Sequence, residues 1–304
     1  MKPIKSKIKN LTLNFYINLP ISLRNHLQNQ KIAILLYHEI SADLFADHID
    51  YIESRYNIVS LYDLKKSIYK LDNYKLPKRP LLITFDDGWR SNYELLKILK
   101  PRNIRATIFA TTGLVNTNRA IWNYTLDRTG DDLEFNNHLK KIRNSEKNLK
   151  LFKHNGYYPK KEYPSRSFLT LEEIKEMSPY VDFQSHGEFH PVFPMCSDEE
   201  LRREISASKK YIEAATGHTC YAIAWPYGRF QQREIAVAKQ LGYRIGRMAN
   251  EPGLNTITSD PLRLKSIGID QFASVSSLNK CLAWAEIRSL FSWTNFSLFR
   301  KNPK

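Results

Sequence analysis

The chain has 304 residues, 42% hydrophobic and 25% charged, with a formal net charge of +15. That length permits a sizeable buried core, and no run approaches the roughly eighteen apolar residues of a transmembrane helix. The charge favours anionic partners such as acidic phospholipids, anionic glycans or lipid-linked sugars. A lysine-rich solvated surface gives the same balance, and with no nucleic-acid-binding motif no nucleic-acid partner is expected.

Taken in chain order, residues 1–30 form a basic, amphipathic extension. Its apolar part is interrupted by Asn14, Asn18 and Pro20, and no small-residue cleavage site follows, so it does not read as a cleavable signal peptide. "IAILLYH" (32–38) is a buried strand, "ADLFADHIDYIESR" a helix, "NIVSL" a short strand and "YDLKKSIYKL" a helix. "LLITFDD" is the next buried strand, followed by a helix over "SNYELLKILKPR" that stops at Pro101, and then the strand "IRATIFATTGL". A polar, Lys- and Asn-rich insertion covers about 116–167 and reads as a mobile or helical excursion near a site. Thr170 caps "LTLEEIKEM"; "VDFQSHGEFHP" begins as a strand and ends in two histidines. Ser197 opens and Gly217 closes an amphipathic helix. "CYAIAWPYG" is a strand, "QQREIAVAKQLG" a helix and "LRLKSIGI" the last strand. Residues 276–304 form a basic, aromatic tail. Both ends either pack on the domain or lie on a membrane surface with lysines facing phosphates. Cys196, Cys220 and Cys281 form no disulfide framework. The expected location is cytoplasmic, with peripheral attachment to the inner membrane face open.

Strands alternating with helices predict an α/β fold with parallel strands. His38, Asp86, His186 and Pro226-Tyr227-Gly228 each follow an apolar strand. The C-terminal strand ends of a parallel α/β barrel share one rim, where sites are built. His186 and His190 are spaced i, i+4, so a helical turn after the strand places both imidazoles on one face. With one aspartate they make a two-histidine, one-carboxylate set with room for water, as catalytic zinc sites have. Of Asp86 and Asp87, one then binds the metal and the other acts as general base. The rigid turn at "WPYG" suits a backbone N–H aimed at an oxyanion. Trp89, Trp122, Trp225 and Tyr227 either line a binding site or pack in the core; Trp225 and Trp89 are the foremost substrate-binding candidates.

"TFDDG", "SHGEFHP" and "AWPYG", in this order, resemble the polysaccharide deacetylases of the NodB-homology type, carbohydrate esterase family 4. The resemblance covers about 31–270, within a domain read as 31–275. It implies a distorted (β/α)₇ barrel, a divalent metal that is usually zinc, and removal of N-acetyl groups from the amino sugars of a polysaccharide or lipid-linked glycan. It further implies Asp86 as catalytic base, Asp87, His186 and His190 as metal ligands, and the Tyr227 backbone N–H as oxyanion donor.

Two departures stand out. Where the family often has RxPY, with an arginine that orients the base, this chain has Ala224; and no histidine follows His218 to supply the late general acid. His38, at the end of the first strand, is similar to the acid of the circularly permuted branch that includes poly-N-acetylglucosamine deacetylases. Alternatives within the same pattern are a deformylase or another amide hydrolase, or an inactive glycan-binding barrel.

Overall fold

The computed structural model describes residues 2–28, 31–127, 133–249 and 251–291. Two helices, α1 (Lys2–Ile17) and α2 (Ile21–Leu27), precede β1 (Ala33–Tyr37), α3 (Ala42–Glu53), β2 (Asn57–Ile58) and α4 (Leu61–Ile68). Next come β3 (Pro80–Asp87), the short α5 (Leu96–Leu99) and β4 (Ala106–Ala110). The insertion contributes α6 (Trp122–Asp127), α7 (Leu133–Leu139) and α8 (Asn144–Asn155). The chain continues through α9 (Leu171–Met177), β5 (Val181–Ser185), α10 (Asp198–Thr216), β6 (Ala222–Ala224), α11 (Gln232–Gln240), β7 (Ile245–Arg247), β8 (Ile267–Gly268) and α12 (Val275–Phe291).

The strands form one sheet in the order β7-β6-β5-β4-β3-β1-β8, with β2 paired to β3 off that path. Every ladder between named strands is parallel. All eight residues of β3 are buried, because helices cover one face of a parallel sheet and the curled interior fills the other. The segment leading into β8 closes the curl. Leu264 bridges Arg247 of β7, and three residues later Ile267 pairs with Leu35 of β1. The fold is thus the expected α/β distorted barrel, and the ends of β1, β3, β5 and β6 share one rim.

Local rules set the helix ends. Thr170 and Ser197 each accept from the backbone N–H of the third helical residue, and Glu173 and Glu200 reach back to the cap N–H. Gly217 takes the left-handed conformation, φ 72°, that ends α10. Where β5 and β6 pair at only Ser185 and Ile223, the Gln184 side-chain oxygen accepts from the N–H groups of Tyr221 (2.9 Å) and Ala222 (2.7 Å). A buried amide there takes the place of a ladder.

Two predicted elements differ, and one strand was not predicted. The helix over 91–102 is a tight 3₁₀ turn at Arg90–Leu95 followed by only four α-helical residues. Inside that turn, buried Asn92 donates to the His38 carbonyl at 2.9 Å, a contact a regular helix would not aim. The last strand shrinks to Ile267–Gly268, and "RIGR" supplies the unpredicted β7.

The terminal segments pack on one another. Leu13 and Tyr16 of α1 are buried against Ala283 and Ile287 of α12. Glu286 of α12 is buried and accepts from Arg24 (2.8 Å), Arg79 (2.9 Å) and the Tyr56 hydroxyl (2.6 Å). This ionic knot ties both ends to the N-terminal side of β2 and β3, opposite the rim. Residues 292–304 of the predicted tail lie outside the described residues.

The insertion is helical and has its own core, in which Trp122, Leu126, Leu139, Leu151 and Tyr157 cluster with Trp89 and Phe168. Lys147 is buried in this layer with its ammonium 4.7 Å from the centre of the Trp122 ring. Burial pushes its pKa down to about 8. The unfolded chain therefore binds the proton more tightly, so the penalty on folding is complete below pH 8 and vanishes as pH rises towards the ordinary lysine value. Lys147→Met should raise the unfolding free energy at pH 7 by about 1–3 kcal/mol. In urea titrations the gap between variant and wild type should narrow between pH 8 and 10; a pH-independent gap would contradict the assignment.

Candidate active site

Asp86 and Asp87 both lie in the β3–β4 ladder, opposite Phe109 and Ala110. Regular strand alternation would point their side chains to opposite faces. Asp87, however, sits at φ 69° and Gly88 at φ 79°, and this left-handed exit swings the second carboxylate back towards the first. As a result Asp86 Oδ2 and Asp87 Oδ1 both lie 3.6 Å from His186 Nε2.

The expectation of a helical turn joining the two histidines is not met. Residues 186–190 are irregular, and Gly187 at φ 83° and His190 at φ 55° fold the chain into a bend instead. The imidazoles still meet, with Nε2 atoms 3.1 Å apart, and His190 Nε2 lies 3.5 Å from Asp87 Oδ1. Asp87, His186 and His190 are the metal-competent group found among the described residues. Tetrahedral zinc with bonds of about 2.0–2.1 Å requires ligand atoms roughly 3.3 Å apart, so the donor triangle has the right size.

The surroundings prepare these atoms. His186 Nδ1 lies 2.8 Å from the Ala224 carbonyl; because a carbonyl only accepts, the proton belongs on Nδ1 and the Nε2 lone pair is free. The Trp89 indole donates to Asp87 Oδ2 at 3.1 Å, while Asp87 Oδ1 is buried without a hydrogen-bond partner. Burial pushes the Asp87 carboxyl above its usual range and holds His190 well below the ordinary imidazole value. A neutral imidazole and an orphaned carboxylate oxygen are what a divalent cation takes.

Asp86 has a different neighbour. Burial alone would push its pKa up, but the Arg247 guanidinium beside it holds it below the ordinary value. Arg247 donates from Nη2 to Asp86 Oδ1 and from Nη1 to the Met248 carbonyl (3.1 Å) and Ser266 Oγ (3.3 Å). Sequence reasoning missed this residue, since it stands 161 positions away on a three-residue strand too short for a clear pattern. The available signal was an arginine between apolar residues in "RIGRM". At the position where the family often has its arginine, Ala224 offers its carbonyl to His186.

The other predicted residues divide. Tyr227, at φ 58°, packs its ring edge-on to His190 with centroids 4.6 Å apart and donates its hydroxyl to Asn123 Oδ1 at 2.7 Å. His38 is half-buried at the end of β1, within electrostatic reach of both aspartates. Trp225 is not a sugar platform. It is fully buried, donates to the Leu262 carbonyl at 2.9 Å and stacks on Phe230. Trp89 is also largely buried, with its ring between Tyr124 and Phe168, so it supports Asp87 and presents no open face. Trp122 is buried in the insertion core.

A parallel α/β barrel with this carboxylate and histidine constellation at its rim is the architecture of a carbohydrate deacetylase. The polysaccharide deacetylase family matches residues 73–246, and the chain belongs to it. The match begins after β1, so His38 lies outside it. YxkH of Bacillus subtilis (strain 168) is 23% identical over 233 residues, 73% of this chain and 66% of its own length; the chain thus spans just under two thirds of that relative. Two solved structures share the fold. The Streptococcus pyogenes deacetylase PplD, in complex with acetate, has a TM-score of 0.59 at 22% identity, covering 83% of this chain and 98% of its own. A de-N-acetylase from Aggregatibacter actinomycetemcomitans has a TM-score of 0.62 at 19% identity, covering 83% and 100%.

If Arg247 holds Asp86 ionised and aimed, Arg247→Met should lower kcat by about 10²–10³-fold, the range lost with one preorganised electrostatic partner. Metal affinity should stay near wild type, because Arg247 contacts none of the three ligands. Steady-state kinetics beside a metal titration checks both; loss of metal with the arginine would refute the separation of roles.

Proposed function

We propose that this protein hydrolyses the N-acetyl groups of amino sugars in a polysaccharide or lipid-linked glycan, with Zn²⁺ held by Asp87, His186 and His190. The observation that carries the reading is Asp86, held by Arg247 in the ionised state a general base needs, beside that ligand triangle. The family and the deacetylase activities of the two structural neighbours support the same reading.

When bound, the cation supplies a Lewis acid and makes water a stronger acid. Asp86 Oδ2, on the side facing His186, accepts the water proton as the oxygen–carbon bond forms. Arg247 keeps the carboxylate in place and ionised. The N–H of Tyr227 hydrogen-bonds the substrate oxygen that gains charge, its backbone preset by the left-handed turn. His38 donates a proton to the sugar nitrogen as the carbon–nitrogen bond breaks, giving acetate and a free amine. Without that proton an amine anion would have to leave, so general acid catalysis of about 10²–10⁴-fold is at stake.

Acetate release from N-acetylated chitooligosaccharides tests the reading, with Asp86→Asn as the blank. His38→Ala should lose about 10²-fold or more in kcat while binding zinc as wild type does. Wild-type turnover in His38→Ala would remove the acid role, and a wild-type protein that releases no acetate from any acylated amino sugar would remove the activity itself.

We also propose that α1 rests on an anionic bilayer. Leu11 and Phe15, one turn apart, are 63% and 71% exposed, on a helix whose sequence carries Lys2, Lys5, Lys7 and Lys9. Among the described residues no helix is long and apolar enough to cross a membrane. Vesicles with phosphatidylglycerol should sediment the protein in a salt-sensitive manner, neutral vesicles should not, and Phe15→Asp should weaken the interaction. Binding indifferent to both lipid charge and Phe15→Asp would exclude this face.

A further inference from the structure

The bend that carries the two histidines is neither helix nor strand, so its backbone groups need partners from elsewhere. The carbonyls of Gly187 and Glu188 accept from the N–H groups of Thr112 (3.1 Å) and Gly113 (2.7 Å). Gly187 N–H meets Ser185 Oγ at 3.3 Å. The N–H groups of Glu188 and Phe189 both donate to one oxygen, Oε2 of Glu204, at 2.8 Å each. Glu204 belongs to α10 and is almost completely buried. Arg203 Nη2 is 3.9 Å from its other oxygen, and the Arg203 side chain is mostly in solvent.

We infer that Glu204 is the positioning residue of the His186–His190 bend: its carboxylate, in place of helical hydrogen bonds, fixes the approach of the two imidazoles and so the affinity of the site for a divalent cation. The inference rests on Asp87, His186 and His190 being the metal ligands; Glu204 is not one of them.

Two independent contacts support it. A Cβ at Gly187 would stand 3.3 Å from Glu204 Oε2 and 3.2 Å from the Phe193 ring, so the bend is packed directly onto the carboxylate. Four residues along the same face of α10, Ser208 Oγ meets Ser185 Oγ at 2.9 Å. The helix therefore grips both the end of β5 and the bend that follows, and the two grips share one rigid element. The environment is also costly for a structural ornament, since burial pushes the Glu204 carboxyl up to about 7. Two amide donors are the compensation that makes the carboxylate tolerable there.

The experiment measures Zn²⁺ affinity by competition with a chromogenic chelator, which needs no turnover. Glu204→Ala should weaken Zn²⁺ binding by about 10–100-fold, the range seen when an outer-shell partner of a ligand is removed. Glu204→Gln keeps an acceptor oxygen in the same place and should return to within about threefold of wild type. Ile212→Ala, buried on the same helix but away from the bend, controls for general destabilisation and should keep wild-type affinity. Wild-type affinity in Glu204→Ala, an equal loss in Ile212→Ala, or a Glu204→Gln loss as deep as that of Glu204→Ala overturns the inference. A wild-type protein that takes up no Zn²⁺ removes the metal-site reading on which it stands, a result distinct from those three.

Discussion

Two carboxylates, fully buried and joined by one peptide bond, are the constraint around which the rim is organised. Each ionised oxygen in a water-poor interior needs a cation or donors, or its pKa rises until it is neutral. Asp86 and Asp87 meet that demand differently. Asp86 faces a permanent guanidinium on β7, whereas Asp87 has one oxygen on an indole N–H and the other without a partner beside two imidazoles. Under the proposed function, that asymmetry separates a base from a metal ligand more firmly than the sequence positions do. It also explains why β7 and the segment before β8 matter to the chemistry, since they carry Arg247 and the Ser266 hydroxyl that braces it.

Backbone conformation follows the same constraint. Asp87, His190 and Tyr227 are non-glycine residues with positive φ, each disfavoured by sterics and held by surrounding structure. Each sits where a regular strand or helix would aim a functional group away from the mouth. The supports come from several elements: Trp89 below Asp87, Glu204 and the β4 loop around the histidine bend, and Asn123 of the insertion on the Tyr227 hydroxyl. The insertion is thereby a structural wall of the site, with a core of its own, and the aromatic residues at this rim act mainly as packing and bracing.

On the opposite side of the barrel the ends of the chain are joined by Glu286 between Arg24 and Arg79. Such a knot is weak evidence for net stability, because desolvation offsets much of the attraction. Its geometric effect is clear. It fixes α1 and α12 away from the rim, so a surface engaged by α1 would leave the mouth open.

How much of this was legible in the sequence depends on the range of the interaction responsible. Hydrophobic runs and turn residues act over a few positions, so the βα alternation, the caps at Thr170 and Ser197 and the left-handed stop at Gly217 could be read directly. The same holds for the placing of His38, Asp86, His186 and Pro226-Tyr227-Gly228 at strand ends, because parallel strands deliver their C-terminal ends to a common rim. What the sequence could not determine was set by contacts between residues far apart in the chain. The curl of the sheet brings Arg247 to Asp86, turns Trp225 inward against Leu262, and replaces the expected helical turn of the histidines with a bend held by Glu204. In each case the deciding quantity is where one element's side chain falls on another, and that is fixed only when the barrel closes and its buried charges and N–H groups must find partners inside it.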